Sequence, residues 1–267
     1  MILIADNIQI TNRAVAEALS EMRPQAIQEL AKQCEAAGAD MLDINSGPLS
    51  RDTENKMRFL VESVQEVSDL PLLIDTANPK AMAAGLRANR KTVVINGFSL
   101  EPAKIEAILP LAEEFDADMI AYLLYPDSRV PSDSTQRLNI AVEICNEIRK
   151  SGIDSNRLII DPVIVPLMWE NGTAQASEVL SVIRMLPDVL GFPVRTVAGL
   201  SNLTSGKGNR EKKLIAEQAY LPMLAASGLT MALLNIFHHE TVRAARICSL
   251  LTPSLSEPAR IFTWEEI

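Results

Sequence analysis

Residues 70–88 read LPLLIDTANPKAMAAGLRA, and this stretch contains one complete strand, turn and helix. The apolar run 70–74 does not alternate with polar residues, which is typical of a strand that is covered on both faces of a parallel sheet. Asn78 and Pro79 then combine a helix N-cap with a proline at the first helical position, and they predict a helix that runs to residue 88.

The same alternation of a short apolar run with an amphipathic segment repeats along the chain. The other strand-like runs are 2–4, 41–44, 92–95, 118–124, 158–160, 195–198 and 231–234. The other helical segments are 24–37, 53–67, 103–115, 134–150, 177–190, 211–226 and 241–251. Eight such units predict one domain, 1–267, folded as a closed (βα)8 TIM barrel. An open, doubly wound sheet is the alternative, but it normally has a glycine-rich turn after its first strand, and residues 6–9 contain no glycine.

Composition excludes several classes of function. The chain has 267 residues and a net charge of −9 without clustered basic residues, so neither nucleic acid nor a membrane surface is an expected partner. No apolar run reaches the ~18 residues of a membrane helix, and the N-terminus lacks a basic leader. Three widely separated cysteines, Cys34, Cys145 and Cys248, predict buried, reduced thiols. We therefore expect a cytoplasmic protein.

Polar residues follow the predicted strands, at the edge of the barrel where active sites of this architecture lie. They are Asp6, Asn7, Gln9, Asp43, Asn45, Asp75, Asn96, Tyr122, Tyr125, Asp161, Ser201, Asn202 and Asn235. The ends of strands are usually exposed to solvent, and this explains why some of these residues are polar. They explain less well the four that directly follow an apolar run, which are Asp43, Asp75, Asn96 and Asp161. A carboxyl group in such a place needs a partner, and a ligand with N–H donors would supply one.

This set of polar residues is rich in Asp and Asn and contains no activated nucleophile. No Cys or Ser is paired with a His in the sequence pattern, and we expect His238 and His239 to be solvated at the start of the last helix. The chain lacks the His/Cys spacing of zinc sites, and hard-metal sites usually show closer acidic clusters, so we expect no metal. Asp and Asn can together bind a flat heterocycle that carries an amide and an amino group.

Residues 199–210 read GLSNLTSGKGNR and resemble a phosphate loop, because barrels often bind phosphate after strands 7 and 8. The segment is not a Walker A motif, since six residues rather than four separate Gly199 from Gly206. The alternative is a flexible loop over the barrel mouth, in which Lys207 and Arg210 meet an anionic substrate tail or a partner protein.

Five segments together carry a resemblance to a known family. They are LDINSGP at 42–48, LIDTANPKAMAAGL at 73–86, VVING at 93–97, IIDPVIVP at 159–166 and GLSNLTSG at 199–206. In this order they resemble the methyltetrahydrofolate:corrinoid protein methyltransferases, which are pterin-binding barrels related to dihydropteroate synthase. The resemblance implies a methyl transfer between N5 of methyltetrahydrofolate and the cobalt of a corrinoid (cobalamin) that a partner protein carries. It also implies a homodimer.

The resemblance further implies roles for individual residues. Those that match the family's pterin-binding positions or motifs are Asp75, Asn96, Asp161, Asp43, Asn45 and Arg210. Asn202 matches the asparagine that contacts N5 of the pterin, so it is the implied catalytic residue as well as a pterin ligand. No covalent enzyme intermediate is needed, which agrees with the missing nucleophile.

The chain departs from the family pattern at two places. Many members carry Glu-Arg-Ile-Asn where residues 6–9 are Asp-Asn-Ile-Gln, and Ser205 stands where some members have a longer polar amide. Dihydropteroate synthase itself is an alternative, although segments 45–48 and 199–202 lack its Ser-Thr-Arg-Pro and Ser-Arg-Lys motifs. Two further alternatives are a non-catalytic pterin-binding subunit of a corrinoid complex and a phosphate-binding barrel enzyme. The natural corrinoid partner, the direction of transfer and the choice between folate and methanopterin stay open.

Overall fold

The computed structural model describes residues 1–47 and 52–252, so Pro48 of the LDINSGP segment and residues 253–267 lie outside the described part. Eight parallel strands close into a barrel, in which each strand pairs with its neighbours in sequence and β1 pairs with β8. The strands are β1 Ile2–Gln9, β2 Met41–Asn45, β3 Leu72–Asp75, β4 Val93–Phe98, β5 Asp118–Tyr122, β6 Leu158–Asp161, β7 Arg195–Gly199 and β8 Met231–Leu234. The predicted barrel is confirmed, and the open sheet is excluded.

Nine α-helices occur in residues 1–47 and 52–252, one more than the sequence pattern predicts. They are α1 Arg13–Glu21, α2 Gln25–Ala36, α3 Thr53–Gln65, α4 Pro79–Ala88, α5 Pro102–Glu114, α6 Ser134–Ser151, α7 Gly172–Leu190, α8 Arg210–Ala226 and α9 His239–Leu251. The additional helix is α1, whose nine residues are too few for a clear periodic signal. The start of α7 was also predicted wrongly, at residue 177 instead of Gly172.

The barrel interior is a small apolar core of its own. Each strand contributes one side chain to it, and these are Ile4, Met41, Leu73, Val94, Ile120, Ile159, Val197 and Met231. Because side chains alternate between the two faces of a strand, the residue two positions further along also faces the barrel interior. Those next positions are Asp6, Asp43, Asp75, Asn96, Tyr122, Asp161, Gly199 and Leu233. The apolar core of the barrel is therefore followed, toward the carboxyl ends of the strands, by a polar layer.

Bulges in β1 and β4 lie next to this polar layer. Ala5 pairs with Leu42 but Ile8 pairs with Ile44, so β1 has one extra residue at this point, and β4 shows the same irregularity after Asn96. β1 therefore continues to Gln9, and the prediction that it ends before residue 6 is wrong. The prediction failed because an apolar run indicates a strand only up to its first polar residue. A strand with a bulge near its end continues beyond that point with polar side chains.

Three smaller predictions concern the cysteines, the fifth strand and membrane spans. Cys34 and Cys145 are buried free thiols as predicted, whereas the free thiol of Cys248 is partly exposed. β5 ends at Tyr122, so Tyr125 lies beyond the strand rather than at its end. In the described ranges, no helix has the length and apolar character that a membrane span requires.

A pair of isoleucine variants tests this arrangement of the core. Ile159 is fully buried in the barrel interior, whereas Ile215 on α8 is 57% exposed. We expect Ile159→Ala to lower the free energy of unfolding by about 2–5 kcal/mol, because it leaves a cavity among packed side chains. Ile215→Ala is the matched control and is expected to change the free energy by no more than about 0.5 kcal/mol in urea denaturation. Equal effects of both substitutions would contradict the assignment of Ile159 to a closed interior.

Candidate active site

Asp43 is the most deeply buried carboxyl group of the polar layer. It is 3% exposed, and its Oδ1 atom has no hydrogen-bond partner in the part of the chain that the structure describes. Burial raises the pKa of Asp43 well above its usual range, and the neighbouring charges of Asp75 and Asp6 raise it further. Burial therefore favours the protonated form of Asp43, whose hydroxyl can donate to an acceptor in the barrel mouth.

Asp75 at the end of β3 lies beside Asn45 at the end of β2. The Nδ2 atom of Asn45 donates to Oδ2 of Asp75 at 2.6 Å, while Oδ1 of Asn45 accepts from the backbone N–H of Gly47 at 2.8 Å. The second bond fixes the orientation of the Asn45 amide, which in turn positions the Asp75 carboxyl group. Burial raises the pKa of Asp75 to about 6, so its protonation state is sensitive to a ligand near neutral pH.

Asn96 is buried in β4 and accepts a hydrogen bond from the hydroxyl of Tyr122 in β5. Burial raises the pKa of Tyr122 well above its usual range, and the charges of Asp75, Asp161 and Asp43 add to this shift. The Tyr122 hydroxyl therefore remains protonated and acts as a donor. With its carbonyl oxygen engaged in this way, the Asn96 amide keeps its NH2 group as a donor for a ligand.

Asp161 ends β6 and accepts from the backbone N–H of Val163 at 2.7 Å. Val163 has a φ of 65°, which is unfavourable for a β-branched residue and is typical of functional sites, where the surrounding structure maintains such strain. Burial raises the pKa of Asp161 to about 7, although the bond from Val163 and the charge of Arg137 both lower it. Asp161 is therefore close to half-protonated at neutral pH.

Asn202 lies in a 3-10 turn, Leu200–Thr204, that directly follows β7. At Gly199, where most other strands carry a polar side chain, a Cβ atom would lie 2.9 Å from Nδ2 of Asn202. The missing side chain of Gly199 therefore gives the Asn202 amide room to fold back toward the barrel mouth. The neighbouring Ser201 hydroxyl donates to Oδ2 of Asp6 at 3.1 Å, which ties this turn to β1.

Glu217 and His238 hold the same turn from the outside, and neither was among the predicted site residues. Glu217 on α8 is 6% exposed and accepts from the Thr204 hydroxyl, while Nδ1 of His238 lies 3.2 Å from its other oxygen. The prediction that His238 is solvated is wrong, since its side chain is only 19% exposed. His239 is exposed, as predicted.

A charged residue on the apolar face of a helix is the sequence signal that could have indicated Glu217. Glu217 precedes Tyr220, Leu221 and Leu224, all buried, at spacings of three, four and seven. Arg137 stands in the same relation to buried residues of α6, and its NH2 group donates to Oε1 of Gln175 on α7 at 3.1 Å. A charge at such a position is costly unless it is paired, so it indicates a specific partner.

The remaining predicted residues lie at the edge of the polar layer or away from it. Asn7 donates to Asn235 at 2.9 Å and thereby links the ends of β1 and β8, and Gln9 donates to the backbone oxygen of Asp6 at 2.8 Å. The Tyr125 hydroxyl donates to Gln136 at 2.8 Å, away from the polar layer. Arg210 is exposed at the first position of α8, and the structure does not bring it together with the carboxyl groups.

The polar layer thus offers several carboxyl groups and two amides to one ligand. Among the described side chains no three His, Cys, Asp or Glu residues are grouped as metal ligands. Carboxyl groups with pKa values near neutrality accept hydrogen bonds when ionised and donate when protonated. Such a layer, at the mouth of a (βα)8 barrel, defines a binding site for a flat heterocycle that presents several N–H groups and ring nitrogens.

Residues 10–235 match the family model described as pterin binding enzyme, and the chain belongs to this family. It is 23% identical over 239 residues to the methylcorrinoid:tetrahydrofolate methyltransferase of Eubacterium limosum, which covers 88% of this chain and 85% of that protein. It is also 23% identical over 236 residues to methionine synthase of Mycobacterium tuberculosis, but the match spans only 19% of that longer protein.

Solved structures with this fold include dihydropteroate synthase from Xanthomonas albilineans. Its complex with 7,8-dihydropteroate superposes with a TM-score of 0.68 at 19% identity, and covers 95% of this chain and 94% of that chain. Its complex with 4-aminobenzoic acid gives a TM-score of 0.70 at 17% identity, and covers 95% and 93%. At this identity the superpositions establish the fold, and they are consistent with the barrel derived above.

The raised pKa of Asp161 predicts a measurable effect on stability. Because the folded protein binds this proton more tightly than the unfolded chain, stability falls as pH rises from about 4, the usual Asp value, to about 7. Asp161→Asn removes this dependence, and we expect the loss of unfolding free energy between pH 5 and 7.5 to shrink by more than about 1 kcal/mol, since one pKa unit corresponds to about 1.4 kcal/mol. Urea denaturation at the two pH values measures it. Asp188→Asn on the exposed face of α7 is the control, and an identical pH dependence in both variants would contradict the burial of Asp161.

Proposed function

We propose that the protein transfers a methyl group between N5 of methyltetrahydrofolate and the cobalt of a corrinoid carried by a partner protein. The observation that carries this proposal is the position of the Asn202 amide, whose Nδ2 atom lies 2.9 Å from where a Cβ atom of Gly199 would be. Gly199 occupies in β7 the position that Asp43, Asp75 and Asp161 occupy in their strands. The similarity to the methylcorrinoid:tetrahydrofolate methyltransferase over most of both chains supports the same reaction.

The polar layer supplies the groups that a reduced pterin ring requires. Its 2-amino group and N3–H are donors that suit the carboxylates of Asp75 and Asp161. Its ring nitrogens and carbonyl oxygen suit the Asn96 amide and Asp43, whose protonated form is favoured by burial. A pterin that donates to Asp75 and Asp161 favours their ionised forms and so lowers their pKa values. Ring binding therefore replaces the missing partners of the buried carboxyl groups and orients N5 toward Asn202.

Methyl transfer from N5 is a nucleophilic displacement at the methyl carbon. A new cobalt–carbon bond forms from the electron pair of the reduced corrinoid, the N5–carbon bond breaks, and its electron pair stays on N5, which takes up a proton from solvent. A neutral amine is a poor leaving group, so stabilisation at N5 must increase in the transition state. We assign this stabilisation to a hydrogen bond with the Asn202 amide, and no enzyme nucleophile takes part. The reverse reaction uses the same contacts.

Dihydropteroate synthase is the second candidate, because solved structures of that enzyme share the fold over most of the chain. Its segments for pyrophosphate and aminobenzoate are not found at 45–48 and 199–202. Formation of dihydropteroate from p-aminobenzoate and a dihydropterin pyrophosphate by the purified protein would establish this activity instead.

We further propose that the protein is a cytoplasmic homodimer. Three large apolar side chains on neighbouring helices are exposed to solvent, and these are Met185 and Val189 on α7 and Met223 on α8. Apolar side chains that are exposed in a single subunit can be covered in a contact between two subunits. Sedimentation velocity of the purified protein tests the oligomeric state.

The reaction is tested by mixing the purified protein with methyltetrahydrofolate and free cob(I)alamin without oxygen. We expect the absorbance of cob(I)alamin to be replaced by that of methylcobalamin only when the protein is present. The same mixture with tetrahydrofolate and methylcobalamin tests the reverse direction. If the protein binds folate but catalyses neither direction, even with corrinoid proteins as partners, then it is a binding subunit and not an enzyme.

Two substitutions separate the role of Asn202 from ring binding. We expect Asn202→Ala to keep pterin affinity within several-fold but to slow methyl transfer by at least about ten-fold, because it removes a hydrogen bond that strengthens in the transition state. Gly199→Ala keeps the Asn202 amide but displaces it, because the new Cβ atom would lie 2.9 Å from its Nδ2 atom. It should therefore show the same selective loss to a smaller extent. Unchanged turnover in Asn202→Ala would contradict the catalytic role of this residue.

Ring binding itself is tested at the carboxyl groups. Asp75→Ala and Asp161→Ala are each expected to weaken pterin binding by about ten- to one-hundred-fold, because each removes a charged hydrogen-bond acceptor from a buried site. Isothermal titration calorimetry measures the affinity, and Asp188→Ala on the surface of α7 serves as the control. If both site variants bind the pterin with the affinity of the wild-type protein, then the polar layer is not the pterin site.

A further inference from the structure

The turn that carries Asn202 lies beyond the end of β7, so the strand pairing of the barrel does not hold it. Its backbone bonds are the N–H of Ser205 to the oxygen of Asn202 at 3.2 Å, and the N–H of Leu167 to the oxygen of Leu203 at 2.9 Å. Among the described residues, no backbone hydrogen bond joins residues 200–204 to β1 or α8. The position of the turn relative to these two elements therefore depends on side chains.

Two side-chain hydrogen bonds, here called the two anchors, supply this attachment. The Ser201 hydroxyl donates to Oδ2 of Asp6 in β1 at 3.1 Å, and the Thr204 hydroxyl donates to Oε1 of Glu217 on α8. Asn202 stands between the two anchored residues in the turn. The anchors therefore limit how far its amide can move from its place beside Gly199.

Glu217 is an unusual residue to find under this turn. It is 6% exposed and lies on the buried face of α8, where a carboxylate is unfavourable unless both of its oxygens have partners. One oxygen accepts from Thr204 and the other lies 3.2 Å from Nδ1 of His238. An apolar side chain would fill the space without desolvating a charge. The carboxyl group therefore indicates a directional contact, since hydrogen bonds to charged acceptors are the stronger ones.

His238 is itself held at the end of β1. Its backbone N–H donates to the oxygen of Asn235 at 3.1 Å, and the Asn235 side chain accepts from Nδ2 of Asn7 at 2.9 Å. Oδ1 of Asn7 accepts in turn from the N–H of Ile236 at 3.0 Å. Asn7 directly follows Asp6 in β1, so both anchors lead back to the same two residues of that strand.

Electrostatics join the two anchors as well. Burial raises the pKa of Asp6, whereas the hydrogen bond from Ser201 and the charge of His238 lower it and the charge of Glu217 raises it. Charges at the barrel end affect one another in this way only when they lie close together. The residues of the two anchors and His238 therefore form one network around the Asn202 turn.

We infer that Glu217 and His238 are positioning residues, which hold the Asn202 amide through Thr204 at the place where it acts on N5. This inference rests on the proposed function, because it takes Asn202 to stabilise the transition state of methyl transfer. Neither side chain belongs to the polar layer that binds the ring. Their loss therefore slows transfer from a bound pterin and leaves the affinity for the ring unchanged.

A pair of Thr204 variants tests the contact itself. Thr204→Val keeps the shape of the side chain but removes its hydroxyl, and Thr204→Ser retains the hydroxyl. We expect Thr204→Val to slow single-turnover methyl transfer to cob(I)alamin by about three- to ten-fold at saturating methyltetrahydrofolate, with unchanged affinity for 6-methyltetrahydropterin in calorimetry. Thr204→Ser should restore most of the rate. Thr92→Val is the control, because Thr92 is exposed just before β4 at the opposite end of the barrel.

Variants of the two positioning residues follow the same logic. Glu217→Leu and His238→Leu remove a hydrogen-bonding group but fill the space, and each should slow transfer without weakening ring binding. His238→Asn retains an amide donor near the position of Nδ1 and should recover part of the rate. Thr204→Val should add nothing to Glu217→Leu, because both remove the same contact.

The decisive comparison places Thr204→Val in the Asn202→Ala protein. A residue that acts only through Asn202 has no further effect once the amide is gone, whereas general damage to the barrel slows both backgrounds equally. Equal slowing in both backgrounds would overturn the inference, as would wild-type rates in Thr204→Val, and the Thr204 variants decide this even where a Glu217 variant does not fold. In either case a slow Asn202→Ala protein leaves the proposed function standing. A wild-type rate in Asn202→Ala would overturn the role of Asn202 and the inference together.

Discussion

Four aspartates share the mouth of a narrow barrel, and their desolvation is the constraint on which the rest of the site depends. Asp6, Asp43, Asp75 and Asp161 are all shielded from solvent enough that burial raises their pKa values. Among the described residues, Arg137 is a fully buried cation. Its charge lowers the pKa of Asp161, but it is not among the causes of the pKa shift of Asp43. Protonation offsets this loss of solvation in the free protein, and a ligand with N–H donors offsets it by hydrogen bonding.

The barrel creates this layer through simple geometry. Each strand places an apolar side chain in the interior. Two residues later a polar side chain follows on every strand except β7 and β8, which carry Gly199 and Leu233 there. Gly199 is the exception that gives Asn202 its place, because the missing side chain leaves room for an amide that comes from the following turn. The side chains proposed to bind the ring and the Asn202 amide proposed to act on N5 thus lie at the same end of the barrel. Thr204, Glu217 and His238 then hold that turn against the neighbouring helix ends.

Much of this arrangement is predictable from the sequence. The apolar runs that end in Asp43, Asp75, Asn96 and Asp161 predict both the parallel strands and the polar side chains at their ends. The bulge in β1 was not predictable, because one extra residue changes the register without changing the composition of the strand. Glu217 and His238 were missed for a different reason. The periodicity of α8 indicates that Glu217 is buried, but it does not identify its partners Thr204 and His238, which lie in other segments.

The measurement that tests the central claim most directly is the number of protons exchanged when a pterin binds. An aromatic pterin, which has no basic N5, is titrated into the protein at pH 6.5 in two buffers of different ionisation enthalpy. Proton release is expected, because Asp75 and Asp161, with pKa values of about 6 and about 7, become more fully ionised when they accept hydrogen bonds from the ring. Asp161→Asn should reduce the number released. Binding without proton release, or no binding, would contradict the assignment of the buried carboxyl groups as the pterin site.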